Sequence, residues 1–457
     1  MSLNLKPLEI SYNYTPLHDT VCGAMNFISS NYGVPFSKEL VSSGYQSAYV
    51  KEKELKEYLT KEYAYVGGYE YIDFTGRGFI SPHIANIIYT YYREYLPSPN
   101  PFETKVKRGG STNSEYTVKD EIVNNVRDII HSRTNDTDLI DKFIELKDTS
   151  KFLRSIDQIF DWYLRDKTDN DYFPVNPTSE VKDTFRLATN NPNIQGKPKA
   201  VKEMIMAPSG YKVMTIDISG QEVHILLFGI MRNKELQRLY IEIGDPYYAI
   251  LKYLGYPQTP EYKAYVKVPV LGCMNGMELE TMITDMGYQR FTNDIAQERD
   301  NELILELATA IKNLIEKDEG FQEVVQSHVD SQKNRDNAVA VGLFGTERII
   351  PKFKKGKAVS SASRRNMLRN GFFQITASEI VSLSLQALIH YIMNNEHGIT
   401  FDDFRPVISI YDEFVFIYKE ELEAEAYEIV DNFMRPKVEN WARFRGEIIT
   451  GKYYGHK

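Results

Sequence analysis

A mixed α/β (α+β) fold of two or three lobes is what this sequence predicts, with a small sheet flanked by helical insertions. Three observations carry the prediction. A chain of 457 residues is long for a single hydrophobic core. Two β-like runs, residues 211–218 (YKVMTIDI) and 407–418 (VISIYDEFVFIY), stand far apart, and the second surrounds a central Tyr-Asp-Glu. Most of the remainder shows apolar residues at helical spacing, as in residues 378–393, where Val381, Leu385, Leu388 and Ile392 recur every three or four positions.

The elements follow in order. Residues 1–180 read as mostly helical, with Tyr-rich amphipathic stretches such as 84–95 and polar breaks at 108–113 and 168–178. The turn signal Pro208-Ser209-Gly210 starts the first β-run, which carries Asp217 near its end. A helical pattern covers 262–273, and the second β-run predicts a hairpin with acids at its tip. No internal repeat or long low-complexity segment interrupts this order.

Composition narrows the chemistry. With 42% apolar and 26% charged residues, no apolar run of about 18 residues and no basic, apolar leader in the first ten positions, the default expectation is a cytoplasmic protein. Two cysteines, Cys22 and Cys273, provide neither a disulfide framework nor a Cys/His metal cluster, so a metal must sit on carboxylates. The net charge of −9 weighs against a nucleic-acid partner unless the cations are gathered locally. They are gathered at Lys105, Lys107 and Arg108, at 352–357 (KFKKGK) and at Arg364 and Arg365.

Asp217 and Asp412, each at a strand end in an apolar setting, suit two hard cations that activate a hydroxyl and neutralise a leaving pyrophosphate. Strand-end aspartates also form turns and cap helices. Lys263, Lys267 and Leu271, spaced by four, share one helix face and offer two ammonium groups to a triphosphate and an apolar side chain to a base or sugar. The same spacing fits a solvated basic stripe. Gly272 and Gly276 would permit close approach of substrate or template, and Pro269 would bend the helix.

Taken in order, these pieces resemble the motifs of family A DNA polymerases, the DNA polymerase I type. Residues 184–195 (TFRLATNNPNIQ) resemble the family's TGRLSS-x-x-PNLQ segment, which implies that Arg186 and Gln195 touch the primer-template minor groove. Residues 207–211 and 217–222 (DISGQE) resemble AP-x-G-[YF] and D-[YF]-S-Q-[IL]-E, making Asp217 a metal ligand and Glu222 the residue that closes the pocket against a ribose 2′-hydroxyl, with Gln221 beside the nucleotide. The stretch from Lys263 resembles the fingers helix R-x3-K-x3-F-G-x2-Y-G, with Lys for Arg, Leu271 for the aromatic and Asn275 for Tyr; Lys267 keeps the central phosphate role. Residues 343–348 (LFGTER) are similar to T-L-F-G-R-R-R, and 369–379 to N-x3-Q-G-T-A-A-D, which gives Asn370 and Gln374 minor-groove roles; Arg365 lies one residue from the family's arginine. Tyr411-Asp412-Glu413 stands where the family has His-Asp-Glu, so Asp412 is the second metal ligand and Glu413 a supporting acid. Upstream, 107–113 (KRGGSTN) resembles the thumb tip, which implies DNA contacts by Lys105, Lys107 and Arg108.

The resemblance implies a right-hand fold with an antiparallel palm sheet, helical thumb and helical fingers. It divides the chain into an N-terminal palm-associated segment (1–75), thumb (76–180), palm with the first Asp (181–228), fingers (229–345) and palm with the second Asp (346–457). It further implies dNTP addition to a primer 3′ end with two Mg²⁺ ions, Mn²⁺ being able to substitute, by a phage-like polymerase module. Such a module acts in replication or repair as a monomer on primer-template DNA, with replication accessory proteins as further partners, in a cytoplasm that is the host's if a phage encodes it. Proofreading is not expected, because no Asp-x-Glu occurs before Arg186 and the thumb-like segment begins too early to leave room for an exonuclease. Two rivals stand beside this reading. One is a single-subunit RNA polymerase-like enzyme, opposed by Glu222 and by Glu413 after Asp412. The other is a weakened primer-template-binding homologue, suggested by Pro269, Leu271 and Asn275.

Overall fold

The computed structural model describes residues 3–63, 81–98, 100–108, 111–116, 120–286, 295–354 and 357–455. Two compact units emerge: residues 1–36, 174–196 and 205–457 form one, and 37–173 with 197–204 the other.

The second unit is mainly helical. Its long helices Lys38–Tyr63 and Asp138–Arg165 pack along each other, with the rings of Tyr45 and Phe160 stacked 3.9 Å apart. The hydroxyls of Tyr58 and Tyr63 both donate to Asp138 at the N-terminus of the second helix, at 2.8 and 2.7 Å, where a carboxylate also suits the helix dipole. Helix Ser81–Tyr91 accounts for much of the predicted 84–95 stretch. An antiparallel hairpin, Glu103–Arg108 with Ser111–Tyr116, is an element that sequence patterning did not foresee. The side chains of Lys105, Lys107 and Arg108 lie outside the described residues, as do residues 109–110.

The first unit is organised by a four-stranded antiparallel sheet. Its strands are β1 (Tyr211–Ile218), β2 (Phe404–Ile410), β3 (Glu413–Lys419) and β4 (Gly446–Gly451), in the order β2-β3-β1-β4. β1 starts where the sequence predicts, after a turn in which Tyr211 N–H donates to the Pro208 carbonyl. Four successive buried residues, Val213 to Ile216, show that both faces of this central strand are covered, unlike the half-polar alternation of an exposed sheet. β2 and β3 form the predicted hairpin with only Tyr411 and Asp412 between them, and Ile410 pairs with Glu413.

Two helices complete the frame. α1 (Pro260–Asn275) is capped by Thr259, begins with Pro260 at a position where its missing N–H costs nothing, and ends at left-handed Gly276. The helix is assigned without interruption through the buried Pro269. α2 (Ser361–Met393) would span about 50 Å at 1.5 Å per residue. Its length and its mean hydropathy of 1.4 over 18 residues would let it cross a membrane, but 83% of that window is buried in the protein, as in a core helix.

α2 fastens the loop after strand Ala338–Val341. Glu379, fully buried, accepts the backbone N–H of Phe344 at 3.1 Å and of Thr346 at 2.7 Å. A Cβ at Gly342 would stand 2.2 Å from its carboxylate. Glu379→Ala would strand two N–H donors, so urea unfolding should show a loss of about 2–4 kcal/mol; a loss within experimental error would remove Glu379 as the fastener.

Candidate active site

The end of β1 and the β2–β3 turn are neighbours because β1 pairs with β3: Asp217 lies opposite Glu413, and Ile218 N–H donates to the Asp412 carbonyl at 3.0 Å. Both aspartates line one cavity of about 400 Å³. Its other walls include Phe185, Arg186 and Leu187, the turn and short helix holding Gln221 and Glu222, Tyr247, Lys267 and Leu271 of α1, Ala377, Ser378, Val381 and Ser382 of α2, and Tyr411. Among the sequence-predicted residues, it therefore unites Asp217, Asp412, Glu222, Gln221, Lys267, Leu271 and Arg186.

Local geometry explains how Glu222 arrives there. Gly220 adopts φ +60°, which an L side chain rarely takes, and its missing Cβ would touch Pro246 Cγ at 3.1 Å. The chain thus turns from β1 into helix Gln221–His224, which continues as a π-helical segment, Ile225–Ile230. His224 anchors the back of this turn. Its buried ring lies 3.2 Å from the Tyr240 hydroxyl and 3.0 Å from the Ala442 carbonyl, and burial drives its pKa down to about 3, so it is neutral.

Electrostatics mark the cavity as short of positive charge. Burial raises the pKa of Asp412 to about 6, assisted by the charges of Asp217 and Glu222 and opposed by Arg186. Asp217 is also raised, first by burial, with Lys267 acting in the opposite direction and Glu447, its cross-strand partner on β4, adding to the rise. Among the described residues no group of three or more His, Cys, Asp or Glu side chains is assembled as a metal cage. Two hard carboxylates facing one cavity nevertheless form the donor set that a Mg²⁺-type ion uses when substrate phosphates complete its shell. The residues present fit such an ion.

The family model described as DNA polymerase family A matches residues 101–454. The chain belongs to DNA polymerase family A. It is a DNA-directed DNA polymerase. No curated protein sequence matches it. Among solved structures it is similar to one described as the POL domain of Pol1 from M. smegmatis in complex with DNA primer-template and dNTP. That similarity has a TM-score of 0.70 at 15% identity and covers 95% of this chain and 70% of the other. At that identity the likeness speaks for the fold, and it bears out the expected right-hand polymerase architecture.

Several predicted residues of this polymerase are placed differently from the expectation. Gln195 is 8% exposed and its amide is committed: it donates to the Leu187 and Ser409 carbonyls and accepts from Thr189 N–H at 3.1 Å. A minor-groove contact by this amide would require exchanging at least one of these bonds. Gln221 lines the cavity, but its amide donates to the Ala377 carbonyl at 3.2 Å. Gly272 and Gly276 do not open the helix to substrate, because Cβ atoms there would meet Met282 at 2.9 Å and Asn366 at 2.7 Å. Glu413 is outside the cavity lining and accepts a hydrogen bond from the Tyr454 hydroxyl. Asn275 is half-buried at the end of α1 and also outside the lining.

Along α2, Asn370, Gln374 and Ser378 follow at intervals of four, so the first two continue the stripe on which Ser378 reaches the cavity. Arg365 is exposed and lines a separate cavity of about 200 Å³ with Lys312, Glu316 and Arg369. Lys263 lies outside the main cavity lining, bound to Asp245 at 2.5 Å with its ammonium 5.1 Å from the Tyr248 ring centre. Asp245 holds this lysine with one oxygen and caps helix Pro246–Leu254 with the other. Its sequence signal was the Asp-Pro start of that helix.

Asp412 provides a stability test. Its folded pKa lies above its unfolded one, so the stability of its neutral form is complete below about pH 4 and lost as pH rises through about 6. Asp412→Asn should therefore stabilise the metal-free protein at pH 8 by on the order of 1–2 kcal/mol after solvent screening, seen as a higher thermal midpoint, and leave stability nearly unchanged at pH 4. Divalent ions should stabilise the parent more than the variant. A variant less stable than the parent at pH 8 would contradict this charge reading.

Proposed function

We propose that this polymerase extends a primer 3′ end with dNTPs by two-metal nucleotidyl transfer centred on Asp217 and Asp412. The observation that carries the reading is their placement in one cavity with both carboxyl groups raised in pKa. Mg²⁺ ions held by these two carboxylates would lower the pKa of the attacking hydroxyl and neutralise the leaving pyrophosphate.

The chain's own residues have separate tasks. Lys267, the ammonium that lines the cavity, meets triphosphate charge already present in the ground state and strengthened during transfer. Lys263 joins it once released from Asp245. Leu271 offers an apolar surface to base or sugar, and Glu222 fills the space a 2′-hydroxyl would need. The α2 stripe of Asn370 and Gln374 and the guanidinium of Arg186 meet the primer-template, while the helical second unit serves as thumb.

Primer extension tests the assignment. Asp217→Ala and Asp412→Ala should each abolish extension while largely sparing primer-template binding, because phosphate contacts dominate affinity; substantial extension by either variant would remove the assignment. Glu222→Ala should keep measurable dNTP extension and raise relative ribonucleotide incorporation at least about tenfold, or about 1.4 kcal/mol of discrimination. A ratio within about twofold of the parent would return Glu222 to the role of a first-turn acid favoured by the helix dipole.

A further inference from the structure

The guanidinium of Arg186 is held from two sides. Its Nη2 donates to Glu222 Oε1 at 2.5 Å, and its Cζ stands 5.1 Å from the centre of the Tyr411 ring. The carboxylate and guanidinium side chains are about one-quarter exposed, at 25% and 26%, and Arg186, Glu222 and Tyr411 all line the cavity. Charge-assisted hydrogen bonds are stronger and shorter than neutral ones, and a flat guanidinium over an aromatic face adds a second restraint.

The third member of this arrangement is unusual. Tyr411 takes φ +59° at the first position of the two-residue turn, a conformation costly for a bulky side chain, and the residue is 53% exposed. Burial does not explain the residue. Its specific contact here is Arg186, and the next residue is Asp412.

We propose that Tyr411 and Arg186 form a clamp that fixes the Glu222 carboxylate, making both positioning residues for the choice of nucleotide sugar. This rests on the reading of Glu222 as the group that excludes a 2′-hydroxyl. A long, flexible Glu blocks a hydroxyl only while it is restrained in one rotamer, and the clamp supplies that restraint. Arg186 also offsets Glu222's charge near Asp412, so the carboxylate can stay beside an incoming polyanion. Tyr411 acts through its ring face, and its hydroxyl is dispensable.

The test measures the relative efficiency of NTP and dNTP insertion, as kcat/KM, on one primer-template. Arg186→Ala and Tyr411→Ala should each raise relative ribonucleotide insertion about fivefold or more. Tyr411→Phe, which keeps the stacking face, should stay within about twofold of the parent. In a Glu222→Ala background neither alanine substitution should change the ratio further, because the clamp would have nothing to hold. If Glu222→Ala relaxes sugar choice but Arg186→Ala and Tyr411→Ala slow both nucleotides equally, the clamp is wrong and the role of Glu222 stands. If Glu222→Ala has no effect on the ratio, that reading fails first and the clamp with it. An effect of Tyr411→Phe as large as that of Tyr411→Ala would also overturn the stacking role. Should Tyr411→Ala fail to fold, Arg186→Ala and Tyr411→Phe decide the matter.

Discussion

The pairing of β1 with β3 is the constraint on which the rest depends. It sets Asp217 opposite Glu413 and brings the Asp412 carbonyl to the Ile218 amide, so two carboxyl groups some two hundred residues apart in sequence share one cavity. Burial opposes the ionisation of both groups and the charge of Asp217 adds to it at Asp412, a cost the structure retains with Lys267 acting against it at Asp217 and Arg186 at Asp412. Perturbed groups of this kind concentrate at functional sites. The covered faces of β1 and the buried length of α2 supply the rigidity that holds them there.

The surrounding elements bring complementary groups to that point. The left-handed Gly220 turns the chain so that Glu222 follows Asp217 into the cavity, and His224 pins the turn from behind. α1 presents Lys267 and Leu271, while Asp245 holds Lys263 one turn away. Tyr411 and Arg186 close the side nearest Glu222. Each placement follows from a local rule: a glycine at positive φ, a fourfold helical spacing, or an aspartate with one oxygen on a cap and the other on a lysine.

Three of the four sheet strands were legible because their signals are local, whereas β4 was not singled out. A turn before β1, β-rich runs around Tyr411 and Asp412 and the spacing of α1 and α2 mark the elements whatever they pack against. Family A membership was also legible, since ordered motifs at matched spacing are far more specific than any single residue. Side-chain commitments were not. Gln195 matches its motif but is absorbed by backbone groups of Leu187, Thr189 and Ser409, the first two in the strand Leu187–Asn190 that precedes it. Gly272 and Gly276 resemble access points but make room for Met282 and Asn366. The partners Asp245–Lys263, Arg186–Glu222 and Glu379 with Phe344 and Thr346 are separated by 18 to 36 positions, and no periodicity in the sequence links them.

The central proposal is that Asp217 and Asp412 form a carboxylate pair that acts with divalent cations in DNA synthesis. It is tested most directly by titrating Mg²⁺ into the purified parent protein, stripped of metal, on a primer-template with each nucleotide set. Extension with dNTPs should appear only as the ion is added, disappear when it is chelated and greatly exceed extension with NTPs. Extension persisting in excess chelator, or a parent that prefers NTPs, would contradict it.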